Sequence, residues 1–139
     1  MTDSTSATDV RATGGCLCGA VRYEVRGELR DVVVCHCEMC RRTHGHIGAY
    51  TAAAKSALRV VESRGLKWYA SSSFARRGFC GECGARLFWE RPERDTISIT
   101  AGTIDPPTGL STILQIHCED AGDYYTIAPD VPRRPTQMA

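Results

Sequence analysis

Apolar and polar residues alternate over short stretches of this chain, the pattern of β-strands that bury one face. The clearest case is Val21, Tyr23 and Val25, which are separated by the polar residues Arg22 and Glu24. Further short apolar or alternating stretches lie at residues 32–34, 47–51, 58–61, 66–69, 86–89, 96–100 and 113–118. The pattern predicts a mostly β fold whose strands are largely antiparallel.

Helix is predicted at only two places. Residues 52–58 contain three consecutive alanines, which favour helix, so one or two helical turns are expected there. Residues 38–42 predict a single turn. Trp68 and Tyr69 lie inside a predicted strand and are expected to belong to the core.

The 139 residues are enough for one domain. We predict a flexible N-terminal arm at residues 1–13, a folded domain at residues 14–132 and a flexible tail at residues 133–139. The formal net charge of +1 disfavours nucleic acid as a partner, since phosphate binding requires a basic excess. We find no basic and apolar regions typical of a secretory signal, and no apolar stretch of the roughly 20 residues that span a membrane. We therefore expect a cytoplasmic protein with no membrane partner.

Seven of the eight cysteines fall into three close groups. The groups are Cys16 with Cys18, then Cys35 with Cys37 and Cys40, and finally Cys80 with Cys83. In a reducing compartment, grouped cysteines are more often metal ligands than disulfides, and zinc accepts tetrahedral thiolate ligands. A thioredoxin-like redox motif would need a βαβ context, and a disulfide scaffold would need an oxidising compartment. The grouping therefore predicts a metal-binding protein.

The spacing also suggests how the seven ligands are divided. Cys35, Cys37 and Cys40 are contiguous and should serve one ion, which leaves a coordination position open for chemistry. The remaining four thiolates would close a structural site that joins an early turn to a late one. These four are Cys16, Cys18, Cys80 and Cys83.

Other residues near the groups have simpler expected roles. Gly19, Gly81 and Gly84 suit the positive-φ geometry that turns between metal ligands often require. Cys118 stands apart from the three groups, inside a predicted strand, and is expected to be a buried free thiol.

Three segments of the chain match a known family. Residues 15–23 read GCLCGAVRY, residues 35–42 read CHCEMCRR and residues 77–87 read RGFCGECGARL, with weaker matches at residues 66–72 and 116–120. In this ordered set the chain resembles the glutathione-dependent formaldehyde-activating enzymes and their relatives, which include the centromere protein V type. The resemblance implies a β-tent fold of stacked antiparallel sheets.

The resemblance also implies the chemistry. It implies two zinc ions per chain: a catalytic zinc on Cys35, Cys37 and Cys40, and a structural zinc on the other four grouped cysteines. In that family the open position takes the thiol of glutathione, which adds to formaldehyde to give S-hydroxymethylglutathione. The chain is therefore expected to be a carbon–sulfur lyase acting on a small thiol, such as glutathione, and a small aldehyde. The alternative is a non-catalytic zinc-binding module of the same fold, structural or partner-binding.

His44 distinguishes these two hypotheses. It follows Cys40 after three intervening residues, so its imidazole would close the second site and favour the module. The family motif does not include this histidine, so we expect the site to stay open. His36 is expected to point outward or to bond a sulfur, whereas His46 is expected on the surface and His117 in the core.

Two arginine pairs flank the cysteine groups. Arg41 and Arg42 follow the trio and either offset an anionic zinc centre, hold a substrate carboxylate, or form a solvated pair. Arg76 and Arg77 precede Cys80 and are expected to be surface charges.

Overall fold

The computed structural model describes residues 9–137, and within them ten strands and one α-helix form a mostly β fold. The predicted fold class, stacked antiparallel sheets with very little helix, is confirmed. The helix α1 spans Glu38–His44. The strands are β1 (Ala12–Gly15), β2 (Arg22–Val25), β3 (Val32–Cys35), β4 (Gly48–Ala54), β5 (Leu58–Glu62), β6 (Leu66–Ala70), β7 (Arg76–Cys80), β8 (Arg86–Glu90), β9 (Thr96–Thr100) and β10 (Thr112–Ile116). Across residues 9–137, no helix has both the length and the apolar character needed to cross a membrane.

The strands form two sheets. A three-stranded sheet has the order β1–β2–β5, and a seven-stranded sheet has the order β10–β3–β4–β9–β8–β7–β6. Neighbouring strands are antiparallel, except that β10 runs parallel to β3. β9 and β10 run in the same direction within this sheet, and residues 101–111 connect them past β4 and β3.

The core lies between the two sheets. Tyr23 and Val25 of β2 pack on Phe88 of β8 and on Ile97 and Ile99 of β9, and all five side chains are buried. The rings of Tyr23 and Phe88 meet edge to face, with their centroids 5.5 Å apart. Burying each large apolar side chain contributes roughly 1.5–3 kcal/mol, so this layer is the main source of stability outside the cysteine clusters.

The opposite face of the seven-stranded sheet is more polar. Ala52, Ser98, Trp89 and Arg77 are paired in register across β4, β9, β8 and β7. Successive side chains of a strand point to opposite faces, so this row faces away from the core that contains Ile97 and its neighbours. We call this side the cavity face, because the row lines a cavity described below.

Several predicted elements differ from the structure. Residues 52–58, predicted as helical, form the end of β4 and one 3₁₀ turn at Lys55–Ala57, because Ala53 packs in the core and β4 pairs with β9. Tertiary pairing here overrides the weak helix preference of alanine. Strands β1 and β7 were not predicted, since their Gly and Arg residues hide the alternation. Trp68 packs against the core as predicted, but Tyr69 is 61% exposed.

The ends of the chain also bear on the predicted boundaries. Residues 1–8 of the predicted arm and residues 138–139 of the predicted tail lie outside the described part. Ala12 and Thr13, assigned to the arm, belong to β1 and pair with β2. In the predicted tail, the backbone N–H of Arg134 donates to Gln115 at 2.8 Å, and the carbonyl of Thr136 accepts from His117 at 2.7 Å. The chain is therefore hydrogen-bonded to the β10 segment as far as residue 136.

Candidate metal centres

Four cysteines from two distant segments of the chain meet at one point. The Sγ atoms of Cys16, Cys18, Cys80 and Cys83 all lie within 4.8 Å of one another, and we call them the four-cysteine cluster. The Cys16 and Cys18 sulfurs are 3.7 Å apart, and the Cys18 and Cys80 sulfurs are 3.8 Å apart. A tetrahedral zinc with Zn–S bonds of about 2.3 Å places neighbouring sulfurs about 3.8 Å apart. The spacing therefore fits a tetrahedral metal ion bound by thiolates.

Backbone N–H groups point at these sulfurs. The N–H of Val21 donates to Cys16 Sγ at 3.2 Å, and the N–H of Cys83 donates to Cys80 Sγ at 3.4 Å. Burial raises the pKa of Cys16, but the Val21 hydrogen bond and the neighbouring thiols lower it overall. A backbone hydrogen bond from Ala85 lowers the pKa of Cys83 to about 6. The turns thus favour the thiolate form that metal binding requires at Cys16 and Cys83. At Cys18 the Ala20 backbone hydrogen bond lowers the pKa, but burial and the neighbouring thiols raise it overall, to about 12.

Glycine is required in these turns for two different reasons. Gly19 and Gly84 have φ of 85° and 82°, as predicted, so they occupy the left-handed region that other residues disfavour. Gly81 was also predicted to have a positive φ, but it is not among the glycines with this conformation. Gly65 is needed for space, since a Cβ there would lie 2.7 Å from Cys80 Sγ and 2.8 Å from Ala20 Cβ.

The Gly65→Ala substitution is therefore expected to weaken the four-cysteine cluster. Both neighbours are packed and buried, so the backbone must shift, at a cost of roughly 1–3 kcal/mol. We expect a lower melting temperature and faster loss of one metal ion to a chelator. The matched control is Gly102→Ala, because a Cβ at that position meets nothing within 4 Å. Equal melting temperatures and equal metal retention in the two variants would contradict the steric explanation.

The second cluster is built at the junction of β3 and α1. The Sγ atoms of Cys35, Cys37 and Cys40 lie within 4.8 Å of one another, and we call these residues the three-cysteine cluster. Cys35 ends β3, Cys37 caps the N-terminus of α1, and Cys40 lies in its first turn. The N–H of Cys40 donates to Cys37 Sγ at 3.3 Å. Hydrogen bonds from Cys35 and Cys40 lower the pKa of Cys37 to about 2, so negative charge is favoured at this half-buried sulfur.

The cysteines are all unpaired, so neither cluster is a disulfide. Cys118 is free as predicted, but it lies half-buried in a 3₁₀ turn after β10, not buried in a strand. His117 precedes it with φ of 54°, so it is also outside the strand and the core where it was predicted. β10 ends at Ile116 because the chain turns into this left-handed residue.

His44 is bonded to a tyrosine and is not part of the three-cysteine cluster. Its Nε2 lies 2.5 Å from Tyr50 Oη. Burial, with the charges of Arg77 and Arg86, lowers the pKa of His44 to about 4, so its ring is neutral at pH 7. Among residues 9–137, the group of sulfurs around Cys37 contains no histidine or carboxylate.

The position of Arg77 differs most from the position predicted from the sequence. It was expected on the surface but is only 7% exposed, next to the three-cysteine cluster. Its guanidinium donates to Tyr50 Oη at 3.0 Å and lies 3.9 Å from Cys40 Sγ. No sequence pattern singles it out, because its position depends on the pairing of β7 with β8. Burial lowers its pKa, but the neighbouring Tyr50 and Cys40 groups raise it overall, so the cation is retained.

His36 is also placed differently from the prediction. It neither points outward nor bonds a sulfur: it is 2% exposed, with Nδ1 2.6 Å from Tyr125 Oη and Nε2 3.0 Å from Gln115 Oε1. These contacts tie the segment between Cys35 and Cys37 to β10 and to the loop that follows it. His36 therefore holds the ligand loop in place from outside the cluster. His46 is exposed as predicted and contacts the Tyr124 hydroxyl at 2.7 Å.

The three-cysteine cluster opens into a cavity, whereas the four-cysteine cluster does not line it. The cavity has a volume of about 590 Å³ and lies on the cavity face of the seven-stranded sheet. Apolar side chains, among them Met39, Trp89 and Ile116, line it beside the sulfurs. This size lies within the range of small-molecule sites. Arg41 and Arg42 do not line it, and Arg42 instead pairs with Glu38 at 2.9 Å.

The fold and the site define a class of small β proteins with two cysteine clusters, of which the three-cysteine cluster lines the cavity on the sheet face. Residues 11–120 match the family model described as glutathione-dependent formaldehyde-activating enzyme, and the chain belongs to this family. A protein of Schizosaccharomyces pombe (strain 972 / ATCC 24843), named as an uncharacterized lyase, is 31% identical over 117 residues, which cover 83% of this chain and 84% of that protein. A crystal structure of a Rhodobacter sphaeroides protein has 27% identity and a TM-score of 0.58, covering 88% of this chain and 99% of that one.

Proposed function

We propose that the protein is a zinc-dependent carbon–sulfur lyase that adds a small thiol, such as glutathione, to a small aldehyde such as formaldehyde, or catalyses the reverse reaction. The observation that supports this most is the contrast between the clusters, since the three-cysteine cluster lines the 590 Å³ cavity and the four-cysteine cluster does not. Family membership, and the lyase name of the fission yeast relative, support the same reaction class. We assign the catalytic zinc to Cys35, Cys37 and Cys40, and the structural zinc to the four-cysteine cluster.

The donor set suits this assignment. Zinc bound by three thiolates supplies an open position for an incoming sulfur and lowers the pKa of that thiol. Cys35, Cys37 and Cys40 would hold the ion, and the apolar side chains of Met39 and Trp89 line the cavity beside them. The Arg77 guanidinium, fixed by Tyr50, places a cation beside the Cys40 sulfur. That cation offsets the excess negative charge of three thiolates around one divalent ion.

The reaction balances without a redox partner. The thiol sulfur forms a bond to the carbonyl carbon, the C=O π bond breaks, and the thiol proton passes to the carbonyl oxygen. The reverse reaction breaks the carbon–sulfur bond and returns the proton to sulfur. The residues contribute by bringing two small molecules together in one cavity, which converts a bimolecular addition into an effectively unimolecular one.

The non-catalytic module would require a fourth protein ligand at the three-cysteine cluster. The sequence candidate, His44, instead bonds Tyr50 and lines a second, cysteine-free cavity of about 620 Å³. No observation within residues 9–137 favours that alternative.

Exchange NMR tests the proposal directly. In a mixture of glutathione and formaldehyde, the metal-loaded protein is expected to accelerate exchange between free glutathione and its S-hydroxymethyl adduct by at least about tenfold. The metal-stripped protein should give the uncatalysed rate. The same uncatalysed rate with loaded protein, across several small thiols and aldehydes, would overturn the enzyme assignment.

A further inference from the structure

Three side chains form a hydrogen-bonded chain that ends at the three-cysteine cluster. His44 Nε2 lies 2.5 Å from Tyr50 Oη, and one terminal nitrogen of Arg77 donates to the same oxygen at 3.0 Å. The other terminal nitrogen of Arg77 lies 3.9 Å from Cys40 Sγ. His44 and Cys40 both belong to α1 and are one turn apart, so they lie on the same face of the helix. The chain of contacts therefore leaves the helix at His44 and returns to it at Cys40.

A glycine leaves the room for this arrangement. A Cβ at Gly48 would lie 2.9 Å from Tyr50 Cε2, 3.1 Å from His44 Cδ2 and 3.2 Å from Cys40 Sγ. The rings of His44 and Tyr50 meet edge to face, with their centroids 5.4 Å apart. The imidazole, the phenol and the sulfur thus surround one point on β4. The position of the imidazole is fixed by packing as well as by its hydrogen bond.

The direction of these hydrogen bonds follows from the donors available. A guanidinium can only donate, so Tyr50 Oη accepts from Arg77. The Tyr50 hydroxyl proton then needs an acceptor, and within residues 9–137 that acceptor is His44 Nε2. Burial is the main reason that the pKa of His44 is lowered to about 4, which keeps its ring neutral. A neutral ring that accepts at Nε2 carries its proton on Nδ1.

The guanidinium depends on this chain for its position. Arg77 is buried, and within residues 9–137 the Tyr50 hydroxyl is the oxygen to which it donates, while its Nε has no partner. Three thiolates leave a divalent zinc ion with a net negative charge, and a bound substrate thiolate would increase that charge. A fixed cation beside the Cys40 sulfur is therefore most stabilising when the substrate thiolate is present.

We propose that His44 is a positioning residue: it accepts the Tyr50 hydroxyl proton, and Tyr50 in turn holds the Arg77 guanidinium beside the three-cysteine cluster. The cation held there stabilises the thiolate of a bound substrate. This inference rests on the proposed function and adds a residue that lies outside the ligand set. His44 acts through two other side chains and contacts neither the metal site nor the substrate.

The tautomer of His44 tests the first contact in the zinc-loaded wild-type protein. Two-bond proton–nitrogen NMR spectra distinguish the two ring nitrogens, and the His44 signals are assigned by their loss in His44→Gln. We expect the proton on Nδ1 and an unprotonated Nε2. Tyr50→Phe should shift the Nε2 signal, whereas Tyr69→Phe, at an exposed tyrosine that lines neither cavity, should leave it unchanged. A proton on Nε2 in the wild-type protein at neutral pH would overturn the inference.

Two substitutions of His44 separate positioning from a merely structural role. Calorimetric titration of the zinc-loaded protein with glutathione is expected to show about threefold to tenfold weaker binding in His44→Leu, which removes the acceptor. His44→Gln should bind about as tightly as wild type, because its side-chain oxygen accepts the same hydrogen bond. Both variants should keep the wild-type metal content, and in the exchange assay His44→Leu should raise KM for the thiol more than it lowers kcat. Equal losses of affinity in the two variants would contradict the positioning role.

A double-mutant cycle tests whether the two side chains act as one unit. Tyr50→Phe should weaken glutathione binding at least as much as His44→Leu, because it removes the contact with Arg77 itself. Adding His44→Leu to Tyr50→Phe should then cause little further loss, since the hydrogen bond is already absent. Additive losses would show that His44 does not act through Tyr50, and the inference would be wrong.

Turnover separates this inference from the proposed function. If glutathione binding depends on His44 as expected but no thiol and aldehyde pair is turned over, the lyase assignment is wrong and the positioning role stands. If the protein turns over its substrates and His44→Leu binds glutathione like wild type, the positioning role is wrong and the lyase assignment stands. If the wild-type protein neither binds nor turns over any small thiol, both are wrong.

Discussion

The Cys80→Ser variant is expected to lose one metal ion and most of the stability of the fold. Cys80 is fully buried at the end of β7, and its sulfur lies against Cys18, 62 residues earlier in the chain. Structural zinc contributes about 10 kcal/mol or more of folding free energy, comparable with the whole stability of a domain of this size. Circular dichroism should show a variant that is largely unfolded at room temperature. Metal analysis should show impaired binding at the four-cysteine cluster.

Cys118→Ser is the matched control for this prediction. It is the same chemical change at a half-buried cysteine that belongs to neither cluster. The control should keep the wild-type metal content and melting temperature. If Cys80→Ser melts like Cys118→Ser and keeps its metal, the four-cysteine cluster is not the structural site.

The two cysteine clusters could be anticipated from the sequence because their residues are close together along the chain. Cys35, Cys37 and Cys40 are separated by one and two residues, so any local turn brings their sulfurs near each other. Cys16 and Cys80 could be assigned to one site because the trio accounts for three of the seven grouped cysteines and the other four complete a tetrahedral set. The structure places the sulfurs of Cys16 and Cys80 in one group. Ligand groups of this kind can be predicted with little knowledge of the rest of the fold.

The surroundings of the site could not be anticipated in the same way. Arg77 was expected at the surface because charged residues usually are, and only the pairing of β7 with β8 places it on the cavity face. His36 lies between two cysteines of the cluster in the sequence, yet its partners are Gln115 and Tyr125, 79 and 89 residues away. These contacts are set by the sheet order, in particular by β10 joining β3 in parallel, which no local pattern encodes.

The two clusters present the same ligand type in different surroundings. Cys16 and Cys80 are buried within the core between the sheets, where a metal ion would join distant parts of the chain. Cys35 and Cys40 lie beside Tyr50 in a separate cluster, at one end of the cavity. We therefore expect substitutions in the first cluster to affect folding and substitutions in the second to affect reactivity.

The Cys37→Ser variant should keep the fold, lose one metal ion and abolish the proposed activity. Cys37 caps α1 by accepting the hydrogen bond of Cys40 N–H, and serine is among the best residues for this role. The helix should therefore form normally, whereas a serine hydroxyl stays protonated at neutral pH and is a poor ligand for zinc. Two remaining thiolates should bind the ion weakly. Metal analysis is expected to give one ion per chain, and the melting temperature should fall far less than in Cys80→Ser.

Cys37→Ala separates capping from metal binding, because alanine removes both functions of the side chain. It should lose the same metal ion and activity as Cys37→Ser, and about 1 kcal/mol more stability through the lost helix cap. Exchange NMR on both variants should give the uncatalysed rate, while Cys118→Ser keeps the wild-type rate. Wild-type acceleration by Cys37→Ser after the loss of one ion would show that the reaction does not occur at the three-cysteine cluster. The lyase would then need a different site, since the four-cysteine cluster has no open position for a thiol.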